Sequence, residues 1–343
     1  MGLTLRIIKS CLFLSLILLL GGSFWLTEEV SRPLRITPEN NSLEIENGLN
    51  VRQIGDFLVA KKLVRSSFPF LVSYHIFADR RALQAGEYLL ANDESIKSLL
   101  VKLIKGQVRL HAIVIREGMT AAEVAELLSF LGNPQEFLRA IEDPTLIADL
   151  DSQARDLEGY LFPETYYFPK KIPAAQALKT IISQFRQVFE PAWQKRAAQL
   201  GLSVREAVIL ASLIEKETSL PAERPLVSAV FHNRLRLGMK LDCDPTVIYA
   251  LKKNGLTIEK LKQADLMFPS PYNTYLHAGL PPGPICNPGR EALKAALFPA
   301  PVNFVYFVSR GDGSHYFSSS YQEHLRAVAR YQKANLKKNK PAK

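Results

Sequence analysis

Cysteine is scarce in this chain, with three among 343 residues, and histidine is little commoner, with six. Cys11 lies inside an apolar run, so Cys243 and Cys286 form at most one pair, and no disulfide framework is specified. Both read more readily as small core or loop residues than as a bridge or a metal site. The chain also has no HExxH helix, paired CxxC, GxGxxG or Walker loop, and no GxSxG elbow, so metallohydrolase, nucleotide-binding and serine-hydrolase readings lack their basic parts. The histidines are scattered. His315, close to Gly313 and Tyr316, is the one worth testing, and no metal or cofactor is expected.

Charge is absent altogether from Cys11 to Leu26, a run rich in Leu, Ile and Phe that extends to Ile7 and Ile8 if Lys9 snorkels toward water. Arg6 and Lys9 precede it and Glu28 and Glu29 follow, which puts the start of the chain in the cytoplasm and the bulk outside. A cleaved signal peptide is the alternative, with Gly21, Gly22 and Ser23 as the cleavage region. Phe24 and Trp25 prolong the apolar stretch and favour a retained single-pass anchor in the plasma membrane. Elsewhere charge is plentiful: 43 Lys and Arg stand against 33 Asp and Glu, a net +10, part of it in Lys333, Lys337, Lys338, Lys340 and Lys343. Such a balance suits an acidic surface or polymer. An exported domain does not meet chromosomal DNA, so nucleic acid is not an expected partner.

With 47% apolar residues the chain can bury a substantial core in two or three units. The expected layout is an anchor over 1–26, a linker over 27–44 with Pro33 and Pro38, an α/β region over 45–150, a mainly helical domain over 151–335 and a basic tail over 336–343. The α/β region carries a repeat: Ile45 to Asn50, leading to Ile54, Phe57 and Leu58, matches Ile115 to Thr120, leading to Val124, Leu127 and Leu128. In each copy a strand end meets a glycine turn, and Asn50 or Thr120 can cap a helix. Strands are expected around Gly86 and over 108–115, with a helix over 95–104. From Ala174 to Leu237 the pattern becomes long amphipathic helices stopped by Gly238. Asp244-Pro245 and Asn287-Pro288 each read as a helix cap followed by proline. Phe304 to Val308, before Gly311-Asp312-Gly313, reads as a strand and turn. The fold class expected is α+β.

Ser203 and Glu206 form a capping box ahead of an apolar helix that ends in Glu215-Lys216-Glu217-Thr218. Steps of three, four and seven back from Glu217 reach Ile214, Leu213 and Leu210; the same steps from Glu215 reach Ser212, Ala211 and Val208. Glu217 lies on the more apolar stripe, where a carboxyl keeps its proton to higher pH, as a general acid requires. A glutamate near a helix end is also commonly a solvated surface residue, and the pattern alone leaves both readings open.

Six segments, Glu158 to Tyr166, Ala211 to Thr218, Val227 to Leu235, Asp244 to Tyr249, Tyr272 to Tyr275 and Gly279 to Gly289, together resemble the YceG-like endolytic murein transglycosylases, the MltG family. They span most of the second half. The resemblance implies a membrane span, a LysM-like peptidoglycan-binding region of two related modules over 45–150, and a catalytic domain with one acidic glutamate in the motif matched by Glu215 to Thr218. It is assigned to Glu217, with Glu215 as the alternative. The implied reaction has Glu217 protonate the oxygen between N-acetylmuramic acid and N-acetylglucosamine and then take the proton of the muramoyl C6 hydroxyl, closing a 1,6-anhydro ring without an attacking water. A lysozyme-like hydrolase would need a second carboxylate, for which Glu158, Glu164, Asp242 and Asp244 are available; for Asp244 a helix cap explains the residue as well. Glu158, Tyr160, Tyr166, Asn233, Asp244, Tyr249, Asn273, Thr274 and Tyr275 are the expected substrate-binding residues. Cys243 departs from the polar residue that the family commonly has before the Asp-Pro pair. Expected partners are glycan strands, the membrane and peptidoglycan synthases. A non-catalytic peptidoglycan-binding or division scaffold is the rival class.

Overall fold

The computed structural model describes residues 2–78 and 81–338; residues 339–343 of the expected basic tail lie outside the described residues. The chain packs as two compact units, 1–111 with 169–171, and 112–168 with 172–343.

The first unit begins with helix α1 (Gly2–Ser31). Its stretch Arg6–Ser31 is long and apolar enough to cross a membrane, at about 1.5 Å per residue against a hydrocarbon core of about 30 Å. Leu12, Phe13, Leu18, Leu19 and Phe24 are all exposed on it. Strand β1 (Ser42–Ile45), helices α2 (Val51–Ala60) and α3 (Phe68–Phe77), strand β2 (Gly86–Leu89) and helix α4 (Ile96–Lys105) follow. β1 and β2 pair antiparallel, Leu43 opposite Tyr88. Their inward faces meet Ile54, Leu58, Phe70, Leu99 and Leu103 in one core.

The second unit opens with strand β3 (His111–Val114) and helices α5 (Ala121–Leu128) and α6 (Pro134–Ile141), and continues through strand β4 (Thr165–Phe168), which pairs with β3. Helices α7 (Ala174–Val188), α8 (Pro191–Gln199), α9 (Val204–Glu217), α10 (Arg224–Arg236), α11 (Asp244–Lys253) and α12 (Arg290–Leu297) form its body. A hairpin of β5 (Tyr306–Ser309) and β6 (His315–Ser318) and helix α13 (Tyr321–Lys338) complete it. Among the described residues the protein is thus helices with small two-stranded sheets, a mixed architecture in keeping with the α+β class expected.

The repeat exists as local structure. Asn50 closes a capping box with Gln53 at the start of α2, and Thr120 closes one with Glu123 at the start of α5, each after a glycine of positive φ, Gly48 (86°) and Gly118 (77°). The copies belong to different compact units, however, whereas the sequence pattern groups them in one region ending near 150. The cause is the second copy's apolar face: Ile113, Ile115, Val124 and Leu128 pack with Phe137, Leu157, Tyr160 and Phe185 in the second core.

α9 is the axle of that core. Ala207 to Ile214 are all buried, and the helix packs against α8, α10, α11 and α12. Its start is fixed as the spacing requires: Ser203 Oγ accepts from Glu206 N (3.2 Å) and Ser203 N donates to Glu206 Oε2 (2.8 Å). Two expected caps are corrected. Asp244 is the first residue of α11, with Cys243 at the cap position. Asn287 caps nothing, since Gly289 precedes α12. Its fully buried amide instead accepts from Gly159 N and Leu161 N, both at 2.9 Å, and donates to Met119 O at 2.9 Å. Satisfying buried backbone groups in this way outweighs the cap it could have formed.

Gly159 sits where nothing larger fits: φ is +90°, and an added Cβ would lie 2.5 Å from Pro284 Cγ and 2.8 Å from Val208 Cγ1. Gly201 also has positive φ (74°) but faces open space. Gly159→Ala is expected to destabilise the protein by about 3 kcal/mol or more, combining backbone strain with overpacking. Gly201→Ala is expected to cost only about 1 kcal/mol. Urea unfolding of the two variants checks the contrast, and equal losses would refute it.

Candidate active site

α9 delivers Glu217 as its last residue, immediately after the buried run, and Thr218 N closes the helix on Ile214 O (3.4 Å). Around the Glu217 carboxyl stand the Cys243 thiol and Asp244 from the start of α11, His315 from β6 and Arg234 from α10. Burial pushes the acid up to about 7; the hydrogen bond from Cys243 and the charges of His315 and Arg234 oppose the rise, while Asp244 adds to it. Arg234 is itself fixed, donating to Val305 O (2.7 Å), Leu241 O (2.9 Å) and Asp242 Oδ2 (3.1 Å). Glu217 therefore holds its proton close to neutrality, its carboxyl buried although the residue as a whole is partly exposed.

Glu215, two residues earlier, has a different situation. Arg224 Nη2 lies 3.1 Å from its Oε1, and Gly289 N donates to its Oε2 at 2.9 Å. Glu117 Oε2 shares the same guanidinium nitrogen at 3.4 Å. Burial raises the Glu215 carboxyl, opposed by the Gly289 hydrogen bond and by Arg224. Both its oxygens are thus occupied in tying α9 to α10 and to the start of α12. The two carboxylates of the motif separate into one anchored by protein and one enclosed by ionisable side chains.

Of the residues expected to bind substrate, Asp244 is brought to Glu217, and the Tyr275 hydroxyl donates to Asp244 Oδ1 at 2.5 Å. Asn273 and Thr274 are buried beneath them. Asn273 Nδ2 donates to Leu266 O and Phe268 O, both 2.9 Å, and Thr274 Oγ1 accepts from Cys243 N at 2.9 Å. They shape the loop that sets Cys243 and Asp244 in place. Asn233 is likewise committed, donating to Val302 O and Phe304 O at 2.9 Å.

Glu158, Tyr160 and Tyr249 gather elsewhere. Arg205, in the first turn of α9, lines a cavity of about 420 Å³ with Glu158, Tyr160, Lys253 and Tyr272. Twelve residues of helix separate Arg205 from Glu217, about 18 Å along the axis. Glu158 accepts from Ala121 N (2.9 Å) and the Tyr249 hydroxyl (3.2 Å), and burial pushes it up to about 8. Tyr160 is fully buried, its hydroxyl on Asp151 Oδ2 at 2.8 Å, and Tyr166 is buried with its hydroxyl on Phe162 O at 2.8 Å. Both are core residues. Asp242 is paired with Arg234, and Glu164 is exposed.

The pattern reading missed Glu117, Glu223, Arg224 and Asn287. None lies on a periodic stripe that meets Glu217, and their roles arise only from contacts between distant segments. Glu223-Arg224 did carry one signal, a charged pair just ahead of Pro225 at a helix start.

These parts make a candidate site, a buried carboxyl with raised proton affinity, in a mainly helical domain that follows a membrane-length apolar helix. The chain belongs to the YceG-like family, whose model matches residues 43–330. It is 29% identical over 335 residues to an endolytic murein transglycosylase of Bacillus subtilis (strain 168), covering 92% of this chain and 91% of that protein. An endolytic murein transglycosylase of Streptococcus pneumoniae serotype 2 (strain D39) is 31% identical; the match covers 85% of this chain and only 58% of that longer relative. A crystal structure of a yceG-like protein from Listeria monocytogenes has a TM-score of 0.57 and 29% identity, covering 83% of this chain and 97% of that one.

Arg224 and Glu215 are 9% and 6% exposed in their side chains. Arg224→Ala strands the Glu215 charge and is expected to cost about 3 kcal/mol in chemical denaturation at pH 7. Glu217 makes stability depend on pH. The unfolded chain titrates it near 4.5 and the folded chain near 7, so its contribution to stability is complete below pH 4.5 and is lost as pH rises through 7. Glu217→Gln should therefore gain on the parent in melting temperature between pH 5 and pH 8; a gap that stays constant would contradict the enclosed acid.

Proposed function

We propose that this chain is an endolytic lytic transglycosylase that cuts peptidoglycan glycan strands and leaves 1,6-anhydro-N-acetylmuramic acid ends. The observation that carries the reading is Glu217: a carboxyl held protonated near pH 7, at the end of a buried helix, in a family whose similar relatives are endolytic murein transglycosylases.

The proton on Glu217 passes to the glycosidic oxygen as positive charge develops at the muramoyl C1, and the departing sugar carries that proton away. The emptied carboxylate, now stabilised by Arg234, His315 and the Cys243 thiol, takes the C6 hydroxyl proton while C6 oxygen closes on C1. Because the nucleophile belongs to the substrate, one carboxyl serves both steps. Asp244 raises the acid's proton affinity and accepts from Tyr275, which serves to meet the sugar. Glu215 acts as an anchor rather than as the acid, since both its oxygens have protein partners.

The repeat, with its two capped helices, serves as LysM-like glycan-gripping structure. α1 serves as a single-pass anchor with the start of the chain cytoplasmic and the second unit outside, where it works beside peptidoglycan synthases on nascent strands and influences their length. The net charge of +10 favours that anionic polymer.

Glu217→Gln should lower cleavage of purified sacculi by about 10²–10⁴-fold, while Glu215→Gln keeps more activity at matched folded fraction. Mass spectrometry should find product ends lighter by one water than reducing ends. Cleavage by the wild type should fall as pH rises through about 7, where the acid loses its proton. Hydrated ends, or undiminished cleavage by Glu217→Gln, would overturn the reading.

A further inference from the structure

The β5–β6 hairpin brings one histidine into the acid site by a specific device. Glu223, at the start of α10, receives two hydrogen bonds from His315: the backbone N–H on Oε1 at 2.8 Å and ring Nδ1 on Oε2 at 2.7 Å. The same Oε2 accepts from the hydroxyl of Thr218, the residue that follows Glu217, at 3.3 Å. One carboxylate therefore fastens the hairpin to the end of α9. Phe307 meets the His315 ring edge-on, with centroids 5.3 Å apart, and fixes its remaining freedom. The side chains of His315 and Glu223 are only 14% and 12% exposed. Ring Nε2, on the edge opposite Glu223, has no hydrogen-bond partner among the described residues.

A histidine that only filled space would not need its ring and its backbone gripped by one carboxylate. Holding Nδ1–H on a carboxylate fixes ring orientation and tautomer, leaving Nε2 committed to whatever lies in front of it. Here that neighbourhood contains Glu217, faced by Cys243 and Asp244 from α11, by Arg234 from α10 and by His315 from β6. Arg234 gives its Nε and Nη1 to three backbone carbonyls and Asp242. His315 is thus a basic neighbour of Glu217 that keeps an unshared polar atom, and the one tied through Glu223 to Thr218, the residue next to the acid.

We propose that His315, oriented by Glu223, is a positioning residue for Glu217: the carboxylate–imidazole pair steadies the ionised form that Glu217 adopts between giving its proton and taking the next one. Glu223 is the anchor of the pair and Thr218 its link to the acid-bearing helix. The inference rests on Glu217 being the acid, and it adds a second functional unit to the site. Its charge opposes that of Asp244, so the two neighbours set the proton affinity of Glu217 from opposite sides.

The test is the pH dependence of kcat/KM for glycan cleavage by the full chain, with melting curves to normalise for folded protein. Removing a group that favours the ionised acid makes Glu217 hold its proton longer. His315→Gln should therefore move the descending high-pH limb upward by about one unit and lower kcat about tenfold, with KM little changed. Glu223→Gln should lower kcat too, and the double variant should lose no more than the worse single, because the pair works as one unit. A limb that stays in place, or losses that multiply in the double variant, would overturn the proposal. Should His315→Gln fail to fold, nitrogen NMR of the wild type decides: with Glu217 ionised, both ring nitrogens must carry protons, Nδ1 in its bond to Glu223, and a ring protonated at one nitrogen only would refute the device. Full cleavage by Glu217→Gln is a separate failure, which removes the acid itself.

Discussion

The second unit depends on keeping one carboxyl out of water. Eight consecutive buried residues of α9 exclude solvent up to its last turn, and Glu217 follows them with a proton it would surrender at pH 4.5 in an open chain. The enclosure makes it an acid, and the enclosure has requirements of its own. α10, α11 and α12 must pack on α9, and the loops between them must satisfy every polar group they bury. Arg234, Asn273 and Asn287 do this with side chains directed at backbone carbonyls and amides. They are structural in contact and functional in effect, since the helix end is dry only while they hold.

The carboxylates of the domain illustrate how environment divides one chemistry into several roles. Glu215 is fixed by a guanidinium and an amide, Glu158 by an amide and a phenol, Glu223 by a ring and two further donors. Glu217 is surrounded instead by groups that themselves ionise or donate weakly. The thiol of Cys243 gives the acid a soft donor, which holds its charged form less firmly than an alcohol would.

How much of this was legible in the sequence depends on the range of each interaction. The Ser203–Glu206 box, the glycine turns before α2 and α5 and the apolar stripe to Glu217 are local, and the spacing of a few residues displays them. Asn287 looked like a cap because local chemistry allowed one, but its amide serves Met119 and Gly159, more than 125 positions away. Tyr160 and Tyr166 looked like sugar platforms, as any tyrosine beside glycine and proline can; their burial follows from how α7 packs on 157–168. The repeat was visible, whereas its division between two cores was not, because the apolar faces of the two copies are alike and only their distant neighbours differ.

The Asn287 linkage also has a temporal side. The groups that enclose or support Glu217 come from 117 at one extreme to 315 at the other, and the amide that joins them lies late in the chain. Contacts of such long sequence separation form slowly and only once both ends are present. A growing polypeptide, or one threaded through a translocation pore, carries the glutamate but not its dry surroundings. It stays an ordinary carboxylate until nearly all of the chain has emerged, so its raised proton affinity is acquired only with the completed topology.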